Sequence, residues 1–145
     1  MGRIAAIDFG TVRLGIAITD ESKIIATPLP TLRAKKTLAE TAHLIAQTLA
    51  SYPSCELVII GLPLLMSGKE SPMSTQVRAF ATLLEKELSI PILLWDERLT
   101  SAGIEKMLKQ HEISRKERAQ LSDSLSAISI LQNYLDSLRF KQNNS

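Results

Sequence analysis

The sequence predicts a single α/β domain built on a mixed sheet, and three observations carry that prediction. Two short apolar runs near the N-terminus, "RIAAID" and "LGIAIT", are separated only by a glycine-containing turn, so they pair antiparallel. Two later runs, "CELVIIGLP" and "IPILLW", are apolar almost throughout, as strands buried on both faces of a parallel sheet are. Between and after them lie segments whose apolar residues recur at helical spacing.

Taken in order, "FGTVR" joins the first two strands through Gly10, which takes positive φ at little cost. "DESK" is a second polar connection, leading into "IIAT" and completing a three-stranded meander. The prolines of "TPLPTLRAK" keep a helix from starting before about Thr31. "KTLAETAHLIAQTLASY" then puts Leu38, Ala42, Ile45 and Leu49 on one helical face. After the strand "CELVIIGLP", the turn-rich "LLMSGKESPMS" leads to "STQVRAFATLLEKELS", whose stripe is Val77, Phe80, Ala81, Leu84 and Leu88. "IPILLW" runs into "DERLT", where Thr100 or Ser101 can cap a short helix over "AGIEKMLKQH". A last helix is expected to begin near Asp123, with Leu125, Ile128, Leu131, Leu135 and Leu138 facing the core. The chain thus reads as one domain over residues 1–138, with 139–145 a flexible tail.

A chain of 145 residues can bury a core without disulfides or metal staples. No apolar stretch approaches the roughly 20 residues of a membrane helix, and "IAAI" is far short of the ~7–15 apolar residues of a signal peptide. The expectation is a cytoplasmic protein without membrane contact. The single Cys55 lies among apolar neighbours and reads as a packed thiol. A net charge of +2 does not by itself indicate nucleic acid. The cations nevertheless stand beside acids: Arg13 follows Asp8, Arg98 follows Glu97, and Arg115, Lys116 and Arg118 precede Asp123. Neither His43 nor His111 is near these groups, and neither zinc chemistry nor a Ser-His-Asp or cysteine nucleophile is suggested. With 4% aromatic residues, a single-strand binder that works by base stacking is disfavoured.

Asp8 ends the first strand and Asp96-Glu97 ends the last, where open α/β sheets bind their ligands. Alternation across a strand lets only one of Asp96 and Glu97 join Asp8, and periodicity leaves open which. Asp123 also has an ordinary explanation, since a carboxylate in a first helical turn gains roughly 0.3–1 kcal/mol from the helix dipole. Carboxylates that converge repel one another unless one is protonated or a cation neutralises them. Hard oxygen ligands suit Mg²⁺ or Mn²⁺, and two such ions about 3.5–4 Å apart activate water and stabilise the leaving oxygen in phosphodiester hydrolysis. Arg13, Lys116 and Arg118 are candidates to hold the phosphate backbone, with Arg115 weaker; solvated surface charge is the ordinary reading of each.

Four segments, "IAAIDFGTVRLGIAI", "VIIGLPLLMSGKESPMSTQVRAFA", "LLWDERLTS" and "SDSLSAISILQNYL", together resemble the bacterial YqgF/RuvX family over nearly the whole chain. The resemblance implies a ribonuclease H-like fold with a five-stranded mixed sheet flanked by helices. It implies a nuclease maturing the 5′ end of pre-16S ribosomal RNA, with an older assignment as a Holliday junction resolvase acting on four-way DNA. The family's acidic triad corresponds to Asp8 in "DFGT", Glu97 in "DERLT" and Asp123 in "SDSLSA", as catalytic residues and ligands of Mg²⁺ or Mn²⁺. The implied partners are pre-rRNA or branched DNA, with the ribosome or its assembly factors, and the chain acts as a monomer or homodimer. Leu65 and Ser67 depart from the family, whose loop after "GLP" often carries Asn and Asp. Gly61, Pro63 and Gly68 remain, and read as strand-ending and turn-shaping residues.

Two rivals stand beside this reading. ATPases of the actin and sugar-kinase type also carry Asp-x-Gly-Thr after a first strand, but they need a second related domain, for which 145 residues are too few. A non-catalytic module that binds nucleic acid or a ribosome-assembly partner would not need the acids.

Overall fold

The structure, a computed structural model, describes residues 2–99 and 115–143, the latter as helical backbone alone up to 123 and from 140 onward. The helix expected over "AGIEKMLKQH", its caps Thr100 and Ser101, and His111 lie outside the described residues. The elements are β1 (Arg3–Asp8), β2 (Arg13–Thr19), β3 (Ala26–Pro28), β4 (Leu32–Arg33), α1 (Leu38–Ala50), β5 (Cys55–Leu62), α2 (Pro72–Glu87) and β6 (Ile92–Asp96). A single 3₁₀ turn (Glu97–Leu99) and a long α3 (Arg115–Asn143) complete them.

The sheet runs β3-β2-β1-β5-β6. β1 and β2 are antiparallel, with Asp8 opposite Gly15, while β1–β5 and β5–β6 are parallel. The mixed sheet is therefore the expected one, except that it has six strands rather than five. The additional strand, β4, also pairs with β2. β3 covers Ala17–Thr19 of β2 and β4 covers Arg13–Leu14, with Leu29 donating to the Ile16 carbonyl between them at 2.9 Å. The two are one bent edge strand, interrupted where Pro28 and Pro30 supply no N–H to the ladder.

Side chains alternate between two apolar layers. Ala5 and Ile7 of β1, with Val58 and Ile60 of β5, pack under α1 and α2 through Ala42, Ile45, Val77 and Phe80. Ile4 and Ala6, with Ala17 and Ile59, pack under α3 through Leu125, Ala127, Ile130 and Leu131. Thr37 caps α1 by accepting from the Glu40 amide, and Ser71 and Ser74 form a capping box at the start of α2. No helix among the described residues is long and apolar enough to cross a membrane.

The last helix begins at Arg115, eight residues before the expected start at Asp123. "RKERAQLS" is rich in good helix formers and contains no breaker, so the helix extends beyond the stripe that meets the sheet. Asp123 consequently lies well inside the helix, where the terminal dipole, which acts within the first turn, offers no account of it. At its other end the helix continues past Leu138 to Asn143.

Candidate active site

Strand parity sets the position of Asp8. It continues the face of Ile4 and Ala6, so it points to the α3 side of the sheet at the carboxyl end of β1. On β6 the corresponding face carries Trp95, packed edge-on against Tyr134 of α3 with ring centroids 5.6 Å apart. Two residues further on, Glu97 opens the 3₁₀ turn, and its carboxyl group hydrogen-bonds to that of Asp8. Between the two strands β5 contributes Gly61, opposite Trp95 in register. A Cβ on Gly61 would overlap Glu97 Oε1 and lie 2.6 Å from Ile130 Cδ1.

The electrostatics of the pair follow from this packing. Burial pushes the Glu97 carboxyl up, and repulsion from Asp8, the hydrogen bond to Asp8 and the charge of Asp96 add to it, to about 8. At neutral pH and without a cation, Glu97 holds a proton and donates it to Asp8. Asp96 is turned elsewhere. It accepts from Arg98 Nε at 2.9 Å, from Nη2 at 2.6 Å and from the Arg98 amide at 2.9 Å, and this fork holds its carboxyl below the usual range. Arg98 also donates to the Met66 carbonyl at 3.2 Å, tying the β5–α2 loop to the end of β6.

Asp123 sits on the helix that covers this face, one residue before the buried Ser124. Ser124 Oγ donates to the Leu29 carbonyl at 2.9 Å and lies 3.2 Å from Thr31 Oγ1, fixing α3 against the edge strand. The side chains of Asp123, Lys116 and Arg118 lie outside the described residues. Arg13 is exposed at the start of β2. Gly10 serves the turn before it, because a Cβ there would overlap the Arg13 carbonyl oxygen.

Sequence reasoning missed two residues here. Gly61 reads from the sequence as a strand end, but glycine inside a strand pattern also marks close approach of another group, and that is the signal for it. Arg98 was noted only as a cation beside an acid, and its fork on Asp96 depends on a turn that spacing does not reveal.

The donor set accommodates a hard divalent cation: two carboxyl groups close enough to share a proton, on a half-buried face, with no histidine or cysteine beside them among the described residues. Among the described residues no group of three potential metal ligands is assembled.

Fold and site together define a ribonuclease H-like domain with paired carboxyls at the ends of its parallel strands. The chain belongs to the RuvX family, described as Holliday junction resolvase, whose model matches residues 2–137. It is thereby a member of a family of nucleases, enzymes of the hydrolase class. A relative from Protochlamydia amoebophila named "Putative pre-16S rRNA nuclease" is 44% identical, covering 93% of each chain. One from Koribacter versatilis with the same name is 40% identical over 93% of this chain and 87% of its own. Among solved structures, T. thermophilus RuvC in complex with a Holliday junction substrate superposes with a TM-score of 0.59 at 14% identity over 96% of both chains. The Fowlpox virus Holliday junction resolvase superposes with a TM-score of 0.59 at 14% identity over 93% of this chain and 99% of that one.

Proposed function

We propose that this protein is a metal-dependent endonuclease that hydrolyses phosphodiester bonds in maturing the 5′ end of pre-16S rRNA. The observation that carries the reading is the hydrogen-bonded Asp8–Glu97 pair at the carboxyl ends of parallel strands, on the face covered by α3. Mg²⁺ or Mn²⁺ would be held by Asp8 and Glu97, with Asp123 as the third ligand, and supplies water activation and neutralisation of phosphate charge. Asp8 and Glu97 would give up their shared proton on holding the cation, and Gly61 keeps the space that Glu97 occupies. Arg98 holds Asp96 away from the pair. Arg13, Lys116 and Arg118 position the substrate backbone. Residues 1–138 act as one nuclease domain, in the cytoplasm, on pre-rRNA in the assembling ribosome, as a monomer or homodimer.

The names of the relatives favour ribosomal RNA. The description of the family model favours four-way DNA as the second reading.

The test incubates the protein and Asp8→Asn with Mn²⁺ or EDTA and an end-labelled RNA spanning the precursor 5′ end of 16S rRNA. A four-way DNA junction is run in parallel. Cleavage of the RNA only with metal and only with Asp8 is expected. Cleavage of the junction alone selects the second reading, and cleavage of neither by metal-binding protein rejects catalysis.

A further inference from the structure

We infer that the tip of the β5–α2 loop, residues 65–69, seats one nucleotide of the bound strand, with Leu65 and Met66 against the base and Lys69 on a flanking phosphate. This rests on the reading of the protein as a nuclease and names a contact by which it grips its substrate. The loop leaves β5 at Leu62, on the strand that lies between β1 and β6, and Leu62 stands opposite Asp96 in register. Arg98, the residue after Glu97, donates to the Met66 carbonyl at 3.2 Å. One arginine side chain therefore spans from the loop tip to the residue next to Glu97.

Met66 is 86% exposed, more than any other large apolar side chain among the described residues, and Leu65 beside it is 48% exposed. The backbone that presents them is pinned. The Leu65 amide donates to the Lys69 carbonyl at 2.9 Å, the Gly68 amide to the Leu65 carbonyl at 2.8 Å, and the Ser71 hydroxyl to the Pro63 carbonyl at 2.5 Å. Single exposed apolar residues are ordinary on a protein surface. An adjacent pair on a pinned loop tied to a candidate active site is a contact surface. The charges on the loop select its partner. Glu70, the one acid between Pro63 and Ser71, accepts from Arg78 Nε at 2.6 Å and from Nη2 at 3.0 Å, whereas the exposed Lys69 makes no ion pair among the described residues. Two apolar side chains beside an uncompensated cation match a nucleotide, a flat base joined to an anion, better than an apolar protein surface. A thioether packs well on aromatic faces, and leucine and methionine are among the side chains that nucleic-acid-binding proteins insert against bases.

The test measures binding of a fluorescein-labelled single-stranded RNA and of a labelled four-way DNA junction by anisotropy across a salt series, in EDTA so that the probe stays whole. Leu65→Ser/Met66→Ser is expected to bind roughly fivefold more weakly with its slope of log affinity against log salt unchanged, because contact with a base releases no counterions. Met66→Ser alone, at the more exposed position, should show part of the same loss, and Met66→Leu should keep wild-type affinity. Lys69→Ala should instead flatten the slope by about 0.7 on single-stranded RNA and about 0.9 on the junction, as for one lost phosphate contact. Melting temperature should stay unchanged throughout, since the substituted side chains are exposed. If wild type binds and the serine variants match it in affinity, the base contact is overturned and the nuclease reading stands. Wild type that self-associates in sedimentation where the double serine variant is monomeric, with equal nucleic-acid affinity in both, assigns the tip to a second copy of the chain and overturns the proposal. Wild type that binds neither probe, in EDTA or with Mn²⁺, overturns both.

Discussion

Glu97 occupies the space that a side chain on Gly61 would fill, with Ile130 closing the same space from α3. Gly61 sits on β5 and Glu97 in the 3₁₀ turn that follows the neighbouring β6, and the two are coupled by volume. Gly61→Ala is therefore expected to fold, at a cost of about 1–3 kcal/mol, because both atoms it meets are ends of flexible side chains. Glu97 must then move, and a displacement near 1 Å costs roughly 10²-fold in rate. Melting temperature and cleavage rate measured together check this, and an unchanged rate would show that the position of Glu97 does not matter.

Asp8→Asn should abolish cleavage while raising the stability of the metal-free protein at alkaline pH. The Glu97 carboxyl lies at about 8 in the fold against 4.5 ordinarily, so the folded state binds more protons than the unfolded chain between those values. Stability accordingly falls as pH rises through that window. Asparagine removes the charge repulsion that Asp8 presents, keeps only a neutral amide oxygen as acceptor and leaves burial in place, which makes the fall smaller. Thermal denaturation across pH measures it, and a lower melting temperature for the variant well above pH 8 would make Asp8 structural.

Mn²⁺ binding should release a proton. The cation needs the Glu97 carboxylate, so affinity is expected to rise roughly tenfold per pH unit below about 8 and to level off above it. Titration calorimetry in buffers of different ionisation enthalpy reads the proton directly. A pH-independent affinity would mean that Glu97 is not a ligand.

Arg98→Lys should shift the pH profile of cleavage upward with little effect on stability. Lysine cannot reproduce the guanidinium fork on Asp96, and a less compensated Asp96 pushes the neighbouring Glu97 carboxyl further up. The ion pair is partly exposed to solvent, so its loss costs little stability. Rate measured against pH decides; an unshifted profile with unchanged rate would assign Arg98 to the surface alone.

Ser124→Ala should cost about 1–2 kcal/mol, because the buried hydroxyl satisfies the Leu29 carbonyl. It should also weaken Mn²⁺ binding if the seat of α3 on the edge strand sets the position of Asp123. Urea denaturation and metal titration separate the two effects, and a stability loss with unaltered Mn²⁺ affinity would confine Ser124 to packing.

The main strands were legible as short apolar runs bounded by turn residues, and the two helices under the first face by apolar residues recurring at a period of 3.6. β4 was not, since two residues beyond a pair of prolines carry no periodic signal. The expected start of α3 differs from the observed one because an apolar stripe marks only part of a helix, whereas "RKERAQLS" is helical without an apolar stripe. At the site, alternation separated Asp96 from Glu97 without ranking them. The ranking depends on which face each strand shows to α3, and that is set by Trp95 and Gly61 lying in register. The carboxylate, lysine and arginine expected at 123, 116 and 118 rest on resemblance and on chain order.

One face of the sheet is covered by α1 and α2, and the face that bears Asp8 by α3, which comes last among the described elements. During synthesis the first layer can therefore close while Ile4, Ala6, Ala17 and Ile59 still lie bare, awaiting Leu125 and the residues after it on α3. Until α3 is made, the unfinished chain exposes this apolar layer to solvent. For an enzyme proposed to cut the RNA of ribosomes, this order of assembly leaves the Asp8 face uncovered until the translating ribosome has made α3.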